Sequence, residues 1–305
     1  MIERVKTLLT TAYRMADLGL ARQLLNIKIE RFSTPNKEDL STTHTHVKFI
    51  YHIRLSQEQF IDELLQRFGM IECNGTRTPL ETGHDLRVLD KTSPETHSGV
   101  SSQSINRSVL ILKAYQSLVG SLMYLMLSTR PDLAFTISTL SKFKFASVPL
   151  PMHLAVAKRV LRYLKTTKTL APSFSSEQRD AQLVGFSDSD WGGERDDQKS
   201  TSGYVFTIGG TEISWKSKKQ AVVALSSTEA EYIGTSEATR EAIWPQRLLL
   251  EITESNQPTH LQLLFADNQG AIKLAENPHF HERTKHIDIK YHFVRQAYEN
   301  GLITV

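Results

Sequence analysis

Gln182-Leu183-Val184-Gly185-Phe186-Ser187-Asp188-Ser189-Asp190-Trp191 reads as a strand that ends on acid. Leu183, Val184 and Phe186 supply apolar and β-branched or aromatic character, and Asp188 stands at the strand's end. If the strand continues, Asp190 shares the face of Asp188, because side chains along a strand repeat with period two. Working outward, Gly203 to Ile208 and Glu212 to Lys216 form a hairpin across Gly209-Gly210, a glycine pair suited to a tight primed turn. A short strand is expected at Ala221 to Ala224, then a long helix from about Ser227 to Ile252. Leu261 to Ala266 is another strand and Gln269 to Glu276 a short helix. A last helix covers about Asp288 to Asn300, stopped by Gly301. Leaving the short strand aside, the order is three strands, helix, strand, helix, helix, which is an α/β pattern.

Four carboxylates punctuate this half of the chain: Asp188, Glu229, Asp267 and Asp288. They are spread over about a hundred residues. If a fold brings them together, they carry too much negative charge to stand without cations, and the chemistry indicated is two hard metal ions acting on a phosphodiester. Each also has a simpler reading. Asp188 fits a strand-end cap. Glu229 fits Ser226-x-x-Glu229 and Glu231 fits Thr228-x-x-Glu231, both capping boxes. Asp267-Asn268 suits a helix start, and Asp288 could face solvent beside Lys285 or Lys290. His279, His281, His286 and His292 crowd the last stretch. Their irregular spacing, with no cysteine nearby, argues against zinc. A histidine beside a metal-bound phosphate could protonate a leaving group, and His286 is the candidate.

The chain's 305 residues suggest about two domains, and its 40% hydrophobic and 23% charged content is ordinary for a globular protein. Cys73 alone can build neither a disulfide framework nor a zinc cluster, which fits a reducing compartment. The formal charge of +3 permits nucleic-acid binding without demanding it. The apolar run near Leu118 to Leu127 is broken by Gly and Ser and is expected to be too short for a bilayer. No signal peptide is expected at the start, so the expected location is intracellular.

Upstream, Leu24 to Phe32 and Val47 to Leu55 read as a strand pair, and Gln57 to Met70 as a helix. A polar connector is expected from about Pro79 to Arg107, and a weaker boundary near Thr169 to Asp180. Between them lie three expected helices: Gln116 to Leu127, Pro131 to about Phe145, and Met152 to Thr166. The third has an apolar stripe and an opposite side of Lys158, Arg159, Arg162 and Lys165, which is either a solvated face or a phosphate-contacting one.

Several segments together resemble the C-terminal part of the copia-type retrotransposon polyprotein. They are Leu118-Val119-Gly120-Ser121-Leu122-Met123-Tyr124, Thr129-Arg130-Pro131-Asp132-Leu133-Ala134, and Arg162-Tyr163-Leu164-Lys165-Thr166-Thr167. Further along come Asp188-Ser189-Asp190-Trp191, Lys199-Ser200-Thr201-Ser202-Gly203-Tyr204, Ser226-Ser227-Thr228-Glu229-Ala230-Glu231-Tyr232 and Lys285-His286-Ile287-Asp288. The resemblance implies a ribonuclease H-like mixed sheet with flanking helices over residues 182–305, preceded by an α+β reverse transcriptase remnant. That remnant would comprise residues 1–78 (end of palm, and thumb), a polar linker at 79–107 and a helical connection at 108–172. It implies hydrolysis of the RNA strand of an RNA/DNA hybrid with two Mg²⁺ or Mn²⁺ ions. Asp188, Glu229, Asp267 and Asp288 would be the metal-binding carboxylates, aided by His286, with no small-molecule cofactor and no membrane. The family would place it in cytoplasm or nucleus. The family's Tyr-Val-Asp-Asp polymerase strand does not occur here, so no polymerase activity is expected. Three features depart from the family: Asn26 stands where Gly is usual, Pro245 interrupts the long helix, and the chain stops at Val305 inside what should be the last strand. The alternative is a non-catalytic, degenerate remnant that at most binds nucleic acid through its basic helix.

Overall fold

The computed structural model describes residues 2–36, 49–81, 102–143, 151–177, 182–194, 196–253, 262–276 and 288–304. Within them lie two sheets and their helices, a mixed α/β architecture.

The first sheet has the order β1-β2-β3-β4, all antiparallel. The expected strand pair is there as β2 (Ile27–Pro35) and β3 (Phe49–Ser56). Gln23–Leu24 (β1) turns onto β2 through Leu25 and Asn26, at φ +48° and +58°. Asn tolerates that left-handed region better than other residues with a side chain, so it can serve where Gly is usual. The expected boundary near Thr169 to Asp180 instead brings the chain back to this sheet: Ser173–Ser175 (β4) pairs with β3.

Helix α1 (Ile2–Ala12) precedes this sheet and was not evident from the sequence. Helices α2 (Glu58–Arg67), α3 (Ser102–Ser128), α4 (Ala134–Ser141) and α5 (Pro151–Thr166) share one apolar core. Ile61, Leu64, Leu118, Leu122, Ile137, Val160 and Leu164 are at most 1% exposed in it. Three expectations are corrected here. The polar connector does not extend to Arg107, because α3 begins at Ser102; residues 82–101 lie outside the described residues. The apolar run is longer than read: Ser108–Ser128, 21 residues, is long and apolar enough by length and composition to cross a membrane. Its Tyr115, Leu118, Leu122 and Leu125 are packed in the helical core. The expected helix at Pro131 opens as a 3-10 turn, Pro131–Leu133, before α4.

The basic side of α5 also does something other than expected. Arg162 donates to the Asn74 carbonyl at 2.7 Å and Lys165 to the Cys73 carbonyl at 2.9 Å. Arg159 pairs with Glu81 at 2.6 Å and donates to Thr78. Three of the four cations thus clamp the chain leaving α2 against α5.

The second sheet has the order β7-β6-β5-β8-β9. β5 (Leu183–Ser189), β6 (Thr201–Ile208) and β7 (Thr211–Lys219) form an antiparallel meander. Gly209 and Gly210 sit at φ +54° and +73°, the left-handed pair that a primed hairpin turn needs. β8 (Gln262–Phe265) adds parallel to β5, and β9 (Ile303–Thr304) parallel to β8. Ala221 to Ala224 forms no strand; pairing ends where Gln220 donates to the Ser200 carbonyl. Helices α6 (Ser227–Thr253), α7 (Gln269–Glu276) and α8 (Asp288–Glu299) complete this half. Leu183, Phe206, Tyr232, Leu264, Val294 and Ile303 form its core. Pro245 does not end α6, which continues eight residues beyond it to Thr253. The two halves are tied by Trp215, whose indole N–H donates to the Met126 carbonyl at 2.8 Å, and by Thr211, which donates to the Ser173 carbonyl at 2.7 Å.

Candidate metal centre

β5 and β8 run parallel with Phe186 opposite Phe265. Two residues further along both strands stand Asp188 and Asp267, at the C-terminal ends where an α/β sheet gathers its ligands. Both are exposed. The third carboxylate comes from α6. That helix approaches β5 closely because Gly234 lies against Ser189: a Cβ at Gly234 would sit 2.3 Å from the Ser189 hydroxyl. One turn earlier, Glu231 is buried, 6% exposed. One carboxylate oxygen from each of Asp188, Glu231 and Asp267 lies within 4.8 Å of the others.

Glu231 holds its proton far more tightly than an ordinary glutamate, its pKa pushed up to about 7. Burial is the main cause. The Ser189 backbone N–H opposes it, while the negative charges of Asp188 and Asp267 and a hydrogen bond with Asp188 add to it. Its Oε2 is buried with no hydrogen-bond partner among the described residues. A divalent cation fits these residues: it would give the orphaned oxygen a partner and offset the repulsion of three anions. The donors are all hard carboxylate oxygens, the set preferred by Mg²⁺, Mn²⁺ or Ca²⁺.

The structure places Glu231, not the expected Glu229, beside Asp188 and Asp267. Glu229 does not join the cluster. Its N–H donates to the Ser226 hydroxyl at 3.1 Å and its Oε2 accepts from the Leu225 N–H at 2.9 Å, so it caps α6. Residues two apart on a helix are separated by about 200° of rotation, so Glu229 and Glu231 face opposite ways. Asp190, expected beside Asp188, has its Oδ1 bound to the Thr201 N–H at 2.7 Å and closes the β5–β6 loop. Asp288 is the first residue of α8. That helix returns to β9 through the short turn at Gly301, and β9 runs parallel to β8, so the start of α8 lies toward the sheet end that holds Asp267. The side chain of Asp288 and the whole of His286 lie outside the described residues, as do His279, His281 and the side chain of His292.

A groove of about 480 Å³ leads to Asp188 between the second sheet and the 3-10 turn, lined among others by Pro131, Phe135, Phe186, Val205 and Lys216. Register places Trp215, Val205, Phe186 and Phe265 in one row across the sheet. Phe186 and Phe265 are about half exposed and stack with centroids 5.4 Å apart and planes at 20°. Sequence reasoning missed this pair, because two aromatic residues about eighty positions apart become neighbours through strand register alone.

Comparison with known proteins gives relatives along the entire chain. A retrovirus-related Pol polyprotein from a transposon of Nicotiana tabacum is 37% identical over 305 residues, 100% of this chain and 21% of that protein. A putative transposon protein of Saccharomyces cerevisiae is 32% identical over 240 residues, 78% of this chain and 67% of that protein. A protein of Plasmopara viticola named as a secreted RxLR effector is 54% identical over 130 residues, 43% of this chain and 89% of that protein. The chain thus spans about a fifth of the length of the transposon polyproteins it matches. No protein-family profile matches it. No solved structure matches it with significance.

Proposed function

This chain belongs to the family of retrovirus-related Pol polyproteins of copia-type transposons, and on that premise we propose that its second half is a ribonuclease H-like domain hydrolysing the RNA strand of RNA/DNA hybrids. The observation that carries the reading is the meeting of Asp188, Glu231 and Asp267 from three separate elements, with an orphaned carboxylate oxygen among them. The strand order β7-β6-β5-β8-β9, with its antiparallel meander and parallel additions, supports the same reading.

Asp188, Glu231 and Asp267 would hold Mg²⁺ or Mn²⁺, with Asp288 as a further candidate. Bound divalent ions supply an activated water and stabilise the leaving oxygen of an in-line displacement. The chain's own part is positional. The exposed Asp188 and Asp267 form the open side of the centre, where a phosphodiester can approach, while Glu231 closes its buried side. The Phe186–Phe265 pair lies about 7 Å back along the strands, roughly one nucleotide step, where an apolar sugar or base face can rest on it. His286 is proposed to hand a proton to the leaving oxygen. The alternative of binding through α5 loses support, since most of that helix's cations are already engaged.

The test is cleavage of a labelled RNA strand in an RNA/DNA hybrid with Mg²⁺ or Mn²⁺. Wild type should cleave, and Asp188→Asn and Asp267→Asn should not, each removing ligand charge without changing size. Cleavage by either variant at the wild-type rate, or none by a folded wild type, would overturn the proposal.

A further inference from the structure

Gln220 ends the β6–β7 pairing and is 3% exposed. Both hydrogens of its carboxamide are used. One is donated to the Ser202 hydroxyl at 2.8 Å, the other to the Ala230 carbonyl at 2.9 Å. Ser202 in turn accepts from the Ser189 hydroxyl at 2.9 Å, and the Ser189 backbone N–H binds the Glu231 carboxylate. The two arms of one side chain therefore end on either side of Glu231: at the peptide just before it, and at the strand residue that holds its head. Oε1 of the same carboxamide is buried with no partner among the described residues. An amide with its carbonyl unmet is a poor choice for stability alone, because an apolar residue of equal length would relieve that oxygen. What an apolar residue could not do is join α6, β6 and β5 at this point.

We propose that Gln220 is a positioning residue, setting the depth and direction at which Glu231 stands behind Asp188 and Asp267. This rests on reading those carboxylates as a metal centre. Gln220 touches none of the three, so its effect passes through Ser202, Ser189 and the first turn of α6. Loss of a group that hydrogen-bonds a ligand directly typically weakens metal binding about 10- to 100-fold, and Gln220, further out, is expected at the lower end of that range.

The experiment compares wild type, Gln220→Met and Val294→Ala. Gln220→Met keeps length and removes both donors. Val294 lies in the same core at 0% exposure, so its truncation supplies a general loss of stability away from the site. Mn²⁺ binding is measured by calorimetry well below every unfolding midpoint. Amide hydrogen exchange is followed along α6 in the metal-free proteins. The expected result is Mn²⁺ binding at least tenfold weaker in Gln220→Met alone, with faster exchange confined to Ser227–Tyr232. Wild-type affinity in Gln220→Met, or equal weakening in Val294→Ala, would overturn the proposal. So would unchanged first-turn exchange, which decides the question even if wild type binds no Mn²⁺; in that case the metal-centre reading fails separately.

Discussion

Glu231→Gln should make the metal-free protein more stable at neutral pH and change how stability depends on pH. Folded Glu231 has a pKa of about 7, against an ordinary 4.5 for glutamate. A carboxyl that binds its proton more tightly when folded leaves the folded state richer in protons between those two values. Stability therefore falls as pH rises through that window, is fully present below about 4.5 and is lost above about 7. A tenfold change in proton affinity corresponds to about 1.4 kcal/mol. Screening at the exposed Asp188 and Asp267 reduces the total, leaving on the order of 2–3 kcal/mol. Glutamine keeps the shape of the protonated form and removes the titration. Urea unfolding with a chelator present, at steps from about pH 4.5 to 8 that bracket the window, should show wild type losing that amount relative to Glu231→Gln. Saturating Mn²⁺ should restore wild type and leave the variant nearly unmoved. Parallel pH curves for the two proteins would refute the reasoning, since Glu231 would then titrate as an ordinary glutamate.

Glu229→Gln should retain hybrid cleavage and lower stability by about 1 kcal/mol, the usual scale for a weakened helix cap; loss of cleavage in a folded sample would return Glu229 to the ligand set. Gly234→Ala should both destabilise the protein and weaken Mn²⁺ binding in calorimetry, because its Cβ meets the Ser189 hydroxyl and pushes α6 off β5. Unchanged binding would show that Glu231 tolerates that displacement. Pro245→Ala should raise the thermal midpoint, since an interior proline removes one helical hydrogen bond at a penalty of up to about 3 kcal/mol. A lower midpoint would mean the surrounding packing has come to depend on the proline.

Strand ends were legible in the sequence because the signals for them are local. Leu183-Val184-Gly185-Phe186 and Leu263-Leu264-Phe265 are short apolar runs that stop just before an acid, and both acids stand in the carboxylate cluster. The hairpin at Gly209-Gly210 was legible for the same reason. What escaped had weak local signals. β4 is three residues in a stretch of Ser and Pro that reads as a loop, and pairing with β3 makes it a strand. The cations of α5 read as a surface because the carbonyls they hold belong to a segment some ninety residues away.

The choice between Glu229 and Glu231 lies beyond local signals. Ser226-Ser227-Thr228-Glu229-Ala230-Glu231 contains two overlapping capping boxes, so the sequence permits α6 to start in either register. In each, the glutamate that caps is withdrawn from any other role. The register is settled by contacts outside the motif: Gly234 admits the helix against Ser189, and Gln220 holds the Ala230 carbonyl. Both favour the cap at Ser226, which commits Glu229 to the Leu225 N–H and turns Glu231 toward the strand ends. Which glutamate faces Asp188 and Asp267 is thus chosen by the packing of a helix on a sheet. A change at Gly234 or Gln220 can therefore alter metal binding while every carboxylate stays in the chain.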